Sequence, residues 1–256
     1  MRNTLPHPAF PVLNASAFGH PFLILETGTP VESLRRHGGF PDWIRVASGL
    51  HVNEVRVCRV LADEAPPAAA DHAGVLVTGS AAMVTERHPW SERTAEWLRE
   101  AAHAGQPIFG ICYGHQLLAH ALGGTVGDNP AGREMGTISV ALRPAAKDDA
   151  LFGALPDSFT AQASHLQSVL APPEGATVLA GSDKDAVQAF SWGGNAWGVQ
   201  FHPEWATNHM REYLHARRMA LIREGSDPKQ LRRDVAATPH ARGLLRRFVH
   251  RARGRG

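Results

Sequence analysis

Apolar residues along the chain keep two rhythms. Unbroken short runs at residues 22–26 (FLILE), 74–78 (GVLVT) and 107–111 (PIFGI) read as buried strands, and the alternating stretch at 54–61 supplies another. Helical spacing fills the gaps: VESLRRHG follows the Thr27-Gly28-Thr29-Pro30 turn and is closed by Gly38-Gly39, and PDWIRVAS follows at 41–48. Trp90, Ala95, Trp97, Leu98 and Ala101 give residues 90–104 a helical stripe, with Ser91 as the expected cap. From Gly114 onward, Leu117, Leu118, Ala121 and Leu122 repeat that stripe. This cadence predicts the α/β class, a mostly parallel central sheet with helices on both faces. In such sheets ligands bind beyond the carboxyl ends of the strands, where Gly79 and Cys112 both fall.

The pattern changes after residue 124. Shorter strands follow as TVGDN, GTISVAL, SFTAQASH, TVLAGS, AVQAFSW and WGVQF, the last two flanking a Gly193-Gly194-Asn195 hairpin turn, and they predict a small antiparallel sheet. Residues 208–224 return to helix and stop at Gly225. A last helix is expected at 239–250, where Leu244, Leu245 and Phe248 offer a docking stripe, and the basic end RARGRG reads as a solvated, partly disordered tail. The expected organisation is one domain over 1–225, its core about 20–205, with a basic helical extension at 226–256. There is no internal repeat.

Composition narrows the class. Hydrophobic residues at 43% and charged residues at 20% suit a globular chain with a sizeable core. A net charge of +2 argues against a nucleic-acid partner, and no apolar run approaches membrane-spanning length. Prolines interrupt the first twenty residues and leave no signal-peptide core. The two cysteines, Cys58 and Cys112, are too few for a disulfide framework, which together with the missing signal points to the cytoplasm. Cys58 reads as a plain strand residue.

Cys112 stands apart. It sits where a strand turns into a helix, flanked by Gly110 and Gly114, in the thiol counterpart of the Gly-x-Ser-x-Gly nucleophile elbow. The N-terminus of the following helix directs positive potential at the sulfur and favours thiolate. A thiol nucleophile needs a base and the base an orienting group, and WGVQFHPEW at 197–205 offers both in His202 and Glu204. Pro203 stops the strand pairing between them. A His-x-Glu pair also suits a metal, yet the chain has neither Cys-x-x-Cys nor His-Glu-x-x-His, so no metal site and no cofactor are expected. His115, beside Cys112, is expected to point away from the elbow. The remaining histidines, among them His7, His20 and His88, read as surface residues, and Trp43, Trp90, Trp97 and Trp192 as packing.

GICYGHQLLAHALGG together with VQFHPE resembles the class I glutamine amidotransferases, above all the glutaminase domain that feeds GMP synthase. The resemblance covers about residues 20–205 and implies a flavodoxin-like fold and a Cys112, His202, Glu204 triad. It also implies an oxyanion hole from the N–H groups of Gly79 and Tyr113, and substrate contacts from Gln116, Ser164, His165, Arg133 and Glu134. Two departures mark the chain: Thr78-Gly79-Ser80 replaces the family's usual Gly-Gly-Pro, and the first strand runs into Glu26-Thr27-Gly28-Thr29. No glycine-rich phosphate loop appears, and the stretch after Glu204 is too short for an ATP-pyrophosphatase domain, so acceptor chemistry is expected on a synthetase partner or not at all. The resemblance thus implies glutamine hydrolysis to glutamate and ammonia through a cysteinyl thioester. The alternatives are a stand-alone hydrolase of γ-glutamyl peptides or amines, and a non-catalytic member that kept the fold for binding.

Overall fold

The computed structural model describes residues 19–254. The proline-rich lead-in containing His7, and with it the reading on a signal core, lies outside the described residues. The strands are β1 (Phe22–Leu25), β2 (Val55–Cys58), β3 (Gly74–Val77), β4 (Ile108–Ile111), β5 (Thr125–Asp128), β6 (Glu134–Leu142), β7 (Ser158–His165), β8 (Gln167–Ala171), β9 (Thr177–Gly181), β10 (Ala189–Trp192) and β11 (Ala196–Val199). Nine of them form one sheet in the order β2-β1-β3-β4-β11-β10-β9-β6-β7, and β5 pairs with β8 in a small antiparallel sheet. From β2 to β11 every pairing is parallel. From β11 to β7 every pairing is antiparallel. The expected α/β sheet is therefore present, and most of the short later strands continue it rather than forming a sheet of their own.

The helices are α1 (Glu32–Arg35), α2 (Phe40–Ser48), α3 (Pro89–His103), α4 (Tyr113–Ala121), α5 (Thr207–Ala216), α6 (Arg218–Arg223), α7 (Pro228–Arg233) and α8 (Pro239–Arg253). Alternation along β1 divides the core. Phe22 and Ile24 face α2 and α8 through Ile44, Leu244 and Phe248, whereas Leu23 and Leu25 face α3 and α4 through Leu98 and Leu117. A third cluster joins Leu34, Phe40, Trp43 and Trp205 to Met210, Tyr213 and Leu214 of α5.

Several local expectations are corrected. The basic C-terminus is not a loose tail: α8 runs to Arg253, and Phe248 packs its ring against Phe22, Phe109 and Trp197. Burial of Leu244, Leu245, Phe248 and Val249, each contributing roughly 2 kcal/mol, outweighs the repulsion among its arginines. Ser91 does not cap α3. Pro89 starts that helix earlier, with His88 as the flanking residue, and Ser91 instead shares a 2.6 Å hydrogen bond with the Tyr113 hydroxyl. The helix expected at 208–224 is broken at Arg217 into α5 and α6. His72, which falls among the histidines expected at the surface, is buried, and its ring meets the Ala68 carbonyl.

Candidate active site

The site is built at the carboxyl ends of β3, β4 and β11. Cys112 follows β4 with φ 51° and ψ −101°, left-handed backbone that costs an L-residue on the order of 1–3 kcal/mol. Its N–H donates to the Val199 carbonyl at 2.8 Å, which ties the elbow to β11. The two flanking glycines are a steric necessity. A Cβ on Gly110 would lie 2.4 Å from the Gly114 carbonyl oxygen, and one on Gly114 would lie 2.6 Å from that of Val77.

His202 reaches the elbow from the end of β11, with its own N–H donating to the Gln162 carbonyl at 2.8 Å. Its Nδ1 donates to Glu204 Oε1 at 2.8 Å, which leaves Nε2 for the thiol of Cys112, and both side chains of the pair are buried. Burial alone would depress the imidazole, but the Glu204 carboxylate and the charge on Cys112 override it and push His202 up to about 10. The ring therefore holds a second proton at neutral pH. Behind it, Arg242 of α8 donates to the Glu204 carbonyl at 3.2 Å. A Cβ on Gly79 would lie 3.0 Å from His202 Cε1 and 3.7 Å from Cys112 Cβ, so only a glycine leaves this approach open without displacing the ring.

The two departures from the family pattern meet each other here. Thr27 Oγ1 donates to the Thr78 carbonyl at 2.8 Å, and its N–H donates to Thr78 Oγ1 at 3.0 Å. The Thr78 carbonyl also accepts the N–H of Gly114 at 3.2 Å. In a trans peptide the carbonyl and the next N–H point in opposite directions, so pinning the Thr78 carbonyl fixes where the Gly79 N–H aims. Tyr113, first residue of α4, has an N–H with no partner earlier in its own helix.

A cavity of about 280 Å³ opens over Cys112 and His202. Among the residues named from the sequence, Tyr113, Gln116, Arg133, Ser164 and His165 line it. Gln116 Nε2 donates to the Gln167 carbonyl at 2.7 Å and to Gln200 Oε1 at 2.9 Å, which fixes the amide. Arg133 is engaged by Glu224, with bonds of 2.8 and 3.1 Å. Glu134 does not reach the cavity. It is buried behind His165, accepting from His165 Nε2 at 2.9 Å, Ser182 Oγ at 2.7 Å and Gln188 Nε2 at 2.6 Å. His115 is fully buried against Phe190 and also lies away from the cavity.

Sequence reasoning missed an aromatic stack. The Trp205 ring lies parallel on His202 with centroids 3.8 Å apart, and Tyr213 lies on Trp205 at 4.1 Å. Trp205 directly follows the acid in the chain, but nothing local connects it to a tyrosine on the next helix. Together the elbow, the His–Glu pair and the aimed amide groups suit acyl transfer: a sulfur nucleophile, a proton carrier and donors for a developing oxyanion.

Fold and site together define a class of α/β proteins that set a cysteine on a strand-to-helix elbow opposite a buried histidine–carboxylate pair. A family model described as glutamine amidotransferase class-I matches residues 46–220, and the chain belongs to that family. It is 36% identical over 169 residues to a glutamine-hydrolyzing GMP synthase of Aeropyrum pernix, covering 64% of this chain and 32% of that protein. It is 34% identical over 134 residues to gamma-glutamyl peptidase 5 of Arabidopsis thaliana, covering 52% of this chain and 53% of that one. A glutamine-hydrolyzing GMP synthase of Halobacterium salinarum that is made of separate chains has one that is 36% identical over 140 residues, covering 54% of this chain and 70% of that one. The chain thus spans about a third of the Aeropyrum protein and about half of the Arabidopsis one. In fold it is similar to a glutamine amidotransferase from Thermotoga maritima, with a TM-score of 0.72 at 24% identity over 91% of this chain and 98% of that one. No helix among the described residues is long and apolar enough to cross a membrane.

Proposed function

We propose that the protein hydrolyses the γ-amide of a γ-glutamyl compound, of which glutamine is the simplest, through a thioester on Cys112. The observation that carries this is the buried His202–Glu204 pair, bonded at 2.8 Å, facing a cysteine held at positive φ on the elbow. Cys112 Sγ adds to the γ-carbonyl carbon while the N–H groups of Gly79 and Tyr113 take the oxyanion. The C–N bond then breaks as His202 gives its proton to the leaving nitrogen. Water, deprotonated by the now neutral His202, attacks the thioester, and the C–S bond breaks to free glutamate and return the enzyme.

Two forms of the reaction share this chemistry. In one, glutamine is cleaved and ammonia passes to a synthetase partner, a reading supported by the Halobacterium relative. In the other, the protein acts alone on γ-glutamyl peptides or amines, a reading supported by the peptidase relative. Glutamate release from glutamine and from γ-glutamyl peptides, measured beside Cys112→Ala, tests the shared chemistry: release lost in the variant is expected, and release that survives in it would overturn the proposal.

A further inference from the structure

The cavity over Cys112 has two unlike walls. One is made by Gln116 and the segment Ser164 to Gln167. The other lies on the His202 side and belongs to α1, α5 and the loop before α1, with Val31, Trp205 and Tyr213 on it. His202 delivers the proton to the departing nitrogen, so this second wall is the one the leaving group meets. The stack His202, Trp205, Tyr213 runs along it, and the Tyr213 hydroxyl bonds to the Val31 backbone, clasping α5 to the start of α1.

Two arginines stand at the end of that stack. Arg217 lies four residues after Tyr213, one helical turn along the same face, at the break that separates α5 from α6. Arg35 lies four residues after Val31. Both line the cavity, and no aspartate or glutamate does. Arg133, the third arginine there, is neutralised by Glu224. Arg35 spends only its Nε, on the Pro30 carbonyl at 3.1 Å, and among the described residues neither Arg35 nor Arg217 has a carboxylate partner. Two unpaired guanidinium groups beside the exit repel an ammonium ion and attract an anion. Their planar donor forks match a carboxylate.

We infer that Arg35 and Arg217 form a leaving-group subsite for a carboxylate, so that the preferred substrates are γ-glutamyl amino acids or short γ-glutamyl peptides rather than glutamine. This rests on the γ-amide hydrolase reading above and sharpens it. The products are glutamate and an amino acid or peptide whose new amino group has taken the proton from His202.

The test compares γ-glutamylglycine, γ-glutamylethylamide and glutamine on the wild type, Arg35→Ala, Arg217→Ala and the double variant. The wild type is expected to favour the dipeptide over the ethylamide in kcat/KM by about tenfold or more, the order of one charge-assisted hydrogen bond. In the double variant that ratio falls toward one through a rise in the dipeptide KM, while ethylamide turnover is unchanged, and Arg217→Lys restores part of the preference. A ratio that survives the double substitution, or a parallel loss on all three substrates, overturns the subsite. Calorimetric binding to Cys112→Ala separates this from the chemistry. There the dipeptide should bind more tightly than the ethylamide only while both arginines are present, even if no substrate is turned over. Equal binding would sink the inference, whereas turnover lost with selective binding intact would sink only the hydrolase reading.

Discussion

Thr27 and Thr78 show how much of this site depends on groups that never touch a substrate. Their hydroxyls replace a second glycine and a proline as the means of holding the oxyanion loop, so the loop is fixed by hydrogen bonds where relatives rely on backbone restriction. Thr27→Val keeps the shape but removes the bond to the Thr78 carbonyl. It should lower kcat by up to about tenfold with little change in KM, because the amide it aims matters most to the tetrahedral state. Steady-state kinetics would show this, and a pure KM effect would argue against the role. At this scale the sequence is informative where chemistry and spacing coincide. Gly110, Cys112 and Gly114 declare an elbow, and His202 and Glu204, two residues apart, declare a pair. It is silent where contacts are long-range. Glu134 reads as a pocket edge beside Arg133, yet strand alternation turns the two to different surroundings, and Trp205 meets Tyr213 only once the chain has folded.

Among the elements, α8 differs most from its sequence signature. Its five arginines and two histidines read as a solvated tail, but its other side carries Leu244, Leu245, Phe248 and Val249 into the core. The helix also supplies Arg242 to the backbone of Glu204, so docking and active-site order are coupled. Phe248→Ala should cost about 3–5 kcal/mol of unfolding free energy, the usual range for an aromatic truncated in a packed core. Urea denaturation followed by tryptophan fluorescence checks this, and a loss below about 1 kcal/mol would mean the helix does not hold the core. The break at Arg217 and the pairing of β5 with β8 were not legible for a different reason. Helical periodicity continues through Arg217, and β8 follows β7 after a single residue, leaving no turn signal between them.

For the whole molecule, the parallel half of the sheet was legible because apolar strands alternate with amphipathic helices, while joining the antiparallel strands to the same sheet depends on β11 lying between β4 and β10. That junction is also what brings His202 to Cys112. It ties global stability to the site's charge. His202 is raised from an unfolded value near 6.5 to about 10, so its charged form contributes stability that is complete below about pH 6.5 and is lost as pH rises through about 10. Thermal melts between pH 6 and 10 should therefore fall with rising pH, and the fall should be shallower in Glu204→Gln, where the carboxylate that raises the histidine is gone. Equal slopes in the two proteins would mean the pair carries no linked charge.

The proposed chemistry stands or falls on a covalent bond to one sulfur. Acid-quenching the enzyme during turnover of a γ-glutamyl substrate and mapping the adduct by mass spectrometry should find one glutamyl group on the peptide containing Cys112. Cys58, buried in β2 with its thiol pushed up to about 11, should carry none. A glutamyl group on Cys58, or full turnover with an unmodified Cys112 that can be replaced by alanine, would contradict the mechanism.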